Sequence, residues 1–140
     1  MSTNPGPGAM SGDAQVEHFV MKVGDTRPVL DIYLQYADGT PYDLSQSYVQ
    51  TIQLIVAPCV GGRRIIGIVP GTDGLMAKVS TPGLGAPYTD GHCQFQWQAN
   101  TLVVGEYWME IIVNTLISAV SGTESFPRGK YYKLIVLPHL

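Results

Sequence analysis

Residues 92–98 alternate strictly in side-chain character: Cys93, Phe95 and Trp97 fall on one side of an extended chain, and three glutamines fall on the other. A period of two is the pattern of a β-strand with one buried face and one solvated face. We therefore predict a strand on the face of a sandwich. Its apolar side chains point into the core, with Trp97 as a plug at mid-strand.

Segments of strand length recur along the chain at intervals of about ten residues. Turn sequences such as Ala37-Asp38-Gly39-Thr40-Pro41 separate these segments. In such a turn, glycine accepts a positive φ and proline stops further strand pairing. The segments are 16–23, 29–36, 49–57, 65–69, 75–79, 92–98, 107–115, 117–126 and 131–137. They predict an all-β fold of about seven or eight strands, an immunoglobulin-like antiparallel two-sheet sandwich, with a small barrel as the alternative.

The chain of 140 residues is long enough for one ordinary domain. We divide it into an extended arm rich in Gly and Pro over residues 1–14 and a sandwich over residues 15–140. Such an arm lacks the side chains to fold alone, so we expect a neighbouring chain to hold it, with its own domain as the alternative. The candidate partner-binding residues in the arm are Asn4, Pro5, Pro7 and Met10. Because the arm has no basic or apolar region of a secretory signal, we expect synthesis in a cytoplasm.

Charge limits the partners of this chain. Charged residues make up 14% of it, and 8 Lys and Arg against 11 Asp and Glu leave a formal net charge of -3. Without a basic field, we expect no binding to nucleic acid. No apolar run approaches the roughly 20 residues of a membrane span, so we expect no membrane partner. A weakly charged surface is typical of a chain packed among copies of itself.

No set of side chains in the sequence predicts catalysis, a cofactor or a metal site. His92 and Cys93 are adjacent on a strand and therefore face opposite sides, which prevents them from holding one ion. A cluster of Asp38, Asp43 and Asp73 is a conceivable calcium site, but turn geometry explains each of these residues without an ion. We expect neither a nucleophile nor an acid-base pair, and hence no enzyme.

The two cysteines, Cys59 and Cys93, are expected to be buried reduced thiols, with a single bridge between neighbouring strands as the alternative. The sequence Gly61-Gly62-Arg63-Arg64 is interpreted as a hairpin tip with two solvated arginines. We prefer this to an anion site because no helix follows to contribute its dipole.

Five short turn and strand sequences occur in a distinctive order. They are Gly24-Asp25-Thr26-Arg27-Pro28, Asp38-Gly39-Thr40-Pro41-Tyr42-Asp43-Leu44, Phe95-Gln96-Trp97, Gly105-Glu106-Tyr107 and Ser125-Phe126-Pro127. In this order they resemble the N-terminal immunoglobulin-like domain of bacteriophage upper-baseplate proteins, over residues 20–138. The chain departs from that pattern at Ser45-Gln46 and Ala99-Asn100. Independently of the family, Gly105 allows a corner, where we expect the hydroxyl of Tyr107 to bond back to the backbone.

The resemblance implies a virion structural protein, an adaptor or spacer of the tail, baseplate or neck. Its implied partners are other virion proteins and further copies of itself in a symmetric assembly. A capsid decoration protein of the same fold is one alternative. Another is a carbohydrate-binding host-adhesion module that uses Tyr88 and Trp108, because aromatic rings stack on sugars. The same rings are typical of protein interfaces, so both residues are candidate partner contacts.

Overall fold

Alternating burial defines the strands in the computed structural model, which describes residues 15–25, 29–65, 68–71, 73–98 and 101–138. Within these residues the chain forms eight strands and no helix, which confirms the predicted all-β class. The strands are β1 (Gln15–Lys22), β2 (Leu30–Tyr33), β3 (Val49–Pro58), β4 (Ala77–Lys78), β5 (His92–Phe95), β6 (Gly105–Ile117), β7 (Val120–Phe126) and β8 (Lys130–Leu137). A membrane-spanning helix is accordingly not found in the described part. The predicted arm contacts Asn4, Pro5, Pro7 and Met10 lie outside these residues.

The strands form two sheets. The five-stranded sheet has the order β1-β8-β6-β3, with β7 also paired to β6, and the three-stranded sheet has the order β2-β5-β4. Most pairs are antiparallel, as predicted, but β1 runs parallel to β8. The predicted antiparallel sandwich thus has one parallel pair, at this edge. Parallel pairing needs a long crossover, and here almost the whole domain lies between the two strands.

The apolar faces of the two sheets form the core between them. Its largest fully buried side chains are Tyr42, Phe95, Phe126, Leu34, Leu44, Leu54, Ile68, Ile111 and Leu134. Trp97 is 3% exposed and packs edge-on against Phe95, with ring centroids 4.9 Å apart, so its predicted burial is confirmed, but it lies beyond the end of β5 rather than at mid-strand. The predicted corner is confirmed as well, because the hydroxyl of Tyr107 donates a hydrogen bond to the carbonyl oxygen of Val103 at 2.6 Å.

The region between β3 and β5 differs from the prediction. The segment predicted as a strand over 75–79 forms a strand only at Ala77–Lys78, with isolated bridges from Leu75 to Gln53 and Pro70, and the one predicted over 65–69 is not among the strands of the described residues. Single hydrogen bonds hold this region to β3 instead: the amide of Ile65 donates to Val56 at 2.7 Å, and that of Leu54 donates to Gly74 at 2.7 Å. Pro70 has no N–H to continue a ladder, which explains why a longer strand does not form.

Both cysteines are free thiols, but they differ in burial. Cys93 is fully buried, which raises the pKa of its thiol to about 12. Cys59 is only half-buried, because it follows the last residue of β3 and lies at the rim of the sheet. The prediction of buried thiols is therefore wrong for Cys59.

Candidate functional site

The outer face of the five-stranded sheet carries a patch of large side chains. In β6, residues of odd number such as Met109 point into the core, so Trp108 and Glu110 point away from it. Trp108 is half-buried and lies in register between Ala57 of β3 and Lys133 of β8. We call this patch the Trp108 surface. It consists of Ile55, Ala57, Trp108, Glu110, Tyr131 and Lys133.

A break in the sheet shapes the Trp108 surface. Strand β7 pairs with β6 as far as Ile111, and β8 takes over the same edge of β6 from Met109. The chain between β7 and β8, residues 127–129, leaves the ladder at this point. Together with the small side chain of Ala57, this creates an open depression of about 330 Å³ on the sheet face. Its walls include Ile55, Arg64, Trp108, Glu110, Pro127 and Tyr131.

Two aromatic rings form the floor of the depression. The centroids of Trp108 and Tyr131 are 5.4 Å apart, and the ring planes are inclined by 52°. The ammonium of Lys133 lies 5.3 Å from the centroid of Trp108, within the range of a cation–π contact. These contacts fix the orientation of the indole ring before any partner binds, so little rotamer entropy is left for binding to remove.

The two carboxylates on this face of β6 have opposite environments. Glu106 lies 2.7 Å from the ammonium of Lys133, and this hydrogen bond lowers the pKa of the Glu106 carboxyl and raises that of the Lys133 ammonium. At Glu110, partial burial raises the pKa of the carboxyl, because the ionised form loses hydration. In the described part of the chain no ion pair reaches Glu110, while the nearby Arg64 and Lys130 pair with Asp73 and Glu17.

The two predicted contact residues inside the described region lie apart. Trp108 lies on the outer face of the five-stranded sheet, whereas Tyr88 lies in the loop before β5, beside the other sheet. The carbonyl of Tyr88 accepts a hydrogen bond from the amide of Leu44 at 3.0 Å, and its ring lies 5.1 Å from the ammonium of Lys78. Tyr88 thus anchors its loop and contributes nothing to the Trp108 surface.

A polar cluster that the sequence analysis did not identify lies on the outer face of the three-stranded sheet. The ring of His92 lies 2.7 Å from Oδ1 of Asp31 through Nε2 and 3.0 Å from Oγ1 of Thr81 through Nδ1. Thr81 in turn donates to Asp90 at 2.5 Å, and the ring of Tyr33 stacks on the imidazole with centroids 4.3 Å apart. Both ring nitrogens are occupied and one ring face is covered, so the cluster holds the loop to the sheet.

The aspartates considered for calcium serve their own turns. Asp38 accepts a hydrogen bond from the amide of Thr40, and Asp43 accepts bonds from Ser45 and Gln46. These bonds lower the pKa of both carboxyls. Within the described residues, no three His, Cys, Asp or Glu side chains cluster closely enough to hold a metal ion.

Comparison with known proteins adds no relative. No family model matches the chain, and no curated protein or solved structure is significantly similar to it. The two-sheet architecture rests on the structure itself. The likeness to baseplate domains stays a prediction from the order of the turn sequences.

Proposed function

We propose that this chain is a structural protein of a bacteriophage virion, a non-enzymatic adaptor that docks on other virion proteins through the Trp108 surface. The observation that carries the proposal is the half-buried indole of Trp108 on the outer face of a sheet, which packs on the buried ring of Tyr131 in an open depression. Tryptophan and tyrosine are enriched at the centres of protein interfaces, where they bury large areas with few rotatable bonds.

The charges around the rings favour a protein partner. Lys133 and Glu106 are paired with each other at the edge of the surface, whereas Glu110 beside the rings has a carboxyl without an ion pair in the described region. A partner that brings an arginine or another donor to Glu110 would satisfy this carboxylate in a site that already excludes part of the water. We therefore expect the partner to place a basic or hydrogen-bonding group at Glu110 and an apolar group over Trp108.

Carbohydrate binding is the second candidate, because aromatic rings beside a carboxylate are a common way to hold a sugar. The geometry favours it less. The rings of Trp108 and Tyr131 are inclined by 52°, so they do not form one flat platform for a saccharide chain. Binding to a glycan array that Trp108→Ala abolishes would favour this function over docking on a virion protein.

Virion assembly in the phage that encodes the chain tests the proposal. The wild-type chain should sediment with purified particles in fixed stoichiometry. Trp108→Ala should fold but be lost from the particles. Leu84→Ala is the matched control, since Leu84 is 37% exposed and lies in the loop before β5, away from the Trp108 surface. Particles without the wild-type chain, or equal incorporation of both variants, would contradict the proposal.

A further inference from the structure

The edge of the five-stranded sheet at β7 has backbone groups that no other described strand pairs with. Ile117 and Val120 flank a two-residue turn, so they form the hydrogen-bonded pair that closes the β6–β7 hairpin. From this pair onward, the N–H and C=O groups of every second residue of β7 bond to β6. The N–H and C=O groups of Ser121, Thr123 and Ser125 are therefore directed away from β6.

Nothing in the described part of the chain pairs with this edge. β7 has β6 as its single strand partner, and no backbone hydrogen bond joins residues 121–125 to another described segment. Ser121, Thr123 and Ser125 are all exposed. One side-chain contact is present: Nε of Arg128 donates to the carbonyl of Ser125 at 3.2 Å. It agrees with the outward direction of this carbonyl, which retains a second lone pair.

The β7 edge also lacks the usual protection against strand pairing. Natural edge strands avoid addition of another chain with lysine, proline, bulges or inward-pointing charges. Residues 120–126 contain neither lysine nor proline. One of these devices is present in part: Glu124 lies on the same face of β7 as the buried Phe126, but it accepts a hydrogen bond from the hydroxyl of Tyr42 and lies 3.3 Å from Arg128, so its charge is already engaged.

We propose that β7 is a self-association edge, and that its occupant is β7 of a second copy of this chain in antiparallel orientation. The sequence Ser121-Gly122-Thr123-Glu124-Ser125 carries hydroxyl side chains in a palindromic order around Thr123. A two-fold axis at Thr123 pairs Thr123 with Thr123, and Ser121 with Ser125. This register uses the outward groups of all three residues on both strands, and any shifted register leaves some of them unpaired.

The same register explains an exposed apolar hairpin tip. Leu116, Ile117 and Val120 are 44%, 54% and 69% exposed at the end of the β6–β7 hairpin. With the axis at Thr123, Val120 of one copy lies opposite position 126 of the other, so each hairpin tip lies at one end of the interface, next to the partner's strand. The role of this pairing rests on the proposed assembly function. Within that function, the pairing supplies symmetric dimers of the adaptor.

Sedimentation of the purified full chain over a range of concentrations tests the pairing. The wild-type mass should rise from the monomer value of 15.2 kDa towards twice that value. Thr123→Pro should weaken the dimer at least about tenfold, because it removes an outward N–H from each strand. It leaves the bonds between β6 and β7 in place, since they do not use that N–H. A wild-type chain that stays monomeric throughout overturns the proposal.

Disulfide trapping tests the register without relying on that variant. In a Cys59→Ser background, Thr123→Cys should form a covalent dimer on oxidation, because directly opposed residues have Cα atoms roughly 5.5 Å apart, within the range of a disulfide. Ser121→Cys is the matched control, since the two copies of residue 121 would then be about 13 Å apart. Equal trapping of both variants, or of neither, overturns the proposed register.

The outcomes also separate this inference from the proposed function. A monomeric chain that still enters particles contradicts the β7 pairing alone. A trapped dimer that never sediments with particles contradicts the adaptor function alone.

Discussion

At the scale of single residues, Tyr107 shows how one hydroxyl sets the path of the chain. Its hydrogen bond to Val103 spans the corner at which the chain enters β6, the strand that carries Trp108. Gly105 lies between Val103 and Tyr107 in the chain and has a φ of 155°. The orientation of the first half of β6, and hence of the Trp108 surface, depends on this corner.

We expect Tyr107→Phe to lower the free energy of unfolding by about 1 kcal/mol, because the carbonyl of Val103 loses a short hydrogen bond while the buried ring is kept. Urea denaturation measures the change. Tyr33→Phe is the control, since that exposed ring stacks on His92 and its hydroxyl has no hydrogen bond to another described residue. Equal losses for the two variants would contradict the assignment of the corner.

The opposite environments of Glu110 and Glu106 predict opposite pH dependences. Burial raises the pKa of Glu110 in the folded state, so the wild-type chain loses stability relative to Glu110→Gln as the pH rises from about 4 through the folded pKa. Glu110→Gln should therefore be more stable at pH 7, by on the order of 0.5 kcal/mol, and equal to wild type in acid. Thermal unfolding between pH 3 and pH 7 measures the difference.

Glu106→Gln is the control with the opposite sign. The pKa of Glu106 is lowered by Lys133, so its contribution to stability is present above the unfolded pKa and is lost as the pH falls through the folded pKa. This variant should be less stable than wild type at pH 7 and equal to it in acid. The same sign for both variants would contradict the two environments.

At the scale of elements, the loop before β5 lies close to the chain after β2, and this close contact depends on Gly91. Its φ is 77°, and a Cβ built on it would lie 2.4 Å from the carbonyl oxygen of Leu34. The amide of Leu34 donates to the carbonyl of Gly91 at 2.9 Å, so neither backbone segment can move away without breaking this bond.

Gly91→Ala should therefore cost about 3 kcal/mol or more, the sum of left-handed strain and a backbone clash. Gly83→Ala is matched to it in backbone conformation, with a φ of 84°, but has nothing within 4 Å of the added methyl group. It should cost only about 1 kcal/mol. Denaturant midpoints compare the two, and a similar loss at both positions would show that the close approach to Leu34 is not present.

The elements also show what alternation can predict. It located β3, β5, β6 and β8 because each has one buried face, and a period of two follows directly from that burial. Alternation overestimated the extent of strand structure on either side of Pro70, where the composition suits strands but the chain turns. The parallel pairing of β1 with β8 was not predictable from local pattern, because it joins the two ends of the described region.

At the scale of the whole molecule, the candidate site is assembled from strands that are distant in sequence. The sequence predicts Trp108 as a contact residue, but the neighbours Ile55, Glu110 and Tyr131 reach it only through the register of β3, β6 and β8. The same holds for the cluster of Asp31, Thr81 and His92: the pairing of β2 with β5 brings Asp31 to His92, and the pairing of β4 with β5 brings the loop that carries Thr81. Strand register is a long-range property, so neither cluster has a local signature.

Hydroxyl-radical footprinting of intact particles, compared with the purified chain, tests the docking surface most directly. We predict that oxidation of Trp108, which is only half-buried in the free chain, is strongly reduced in the particle, because a partner covers its indole ring. Oxidation of the exposed ring of Tyr33, on the other sheet, should be unchanged. Equal oxidation of Trp108 in the particle and in the free chain would contradict the account.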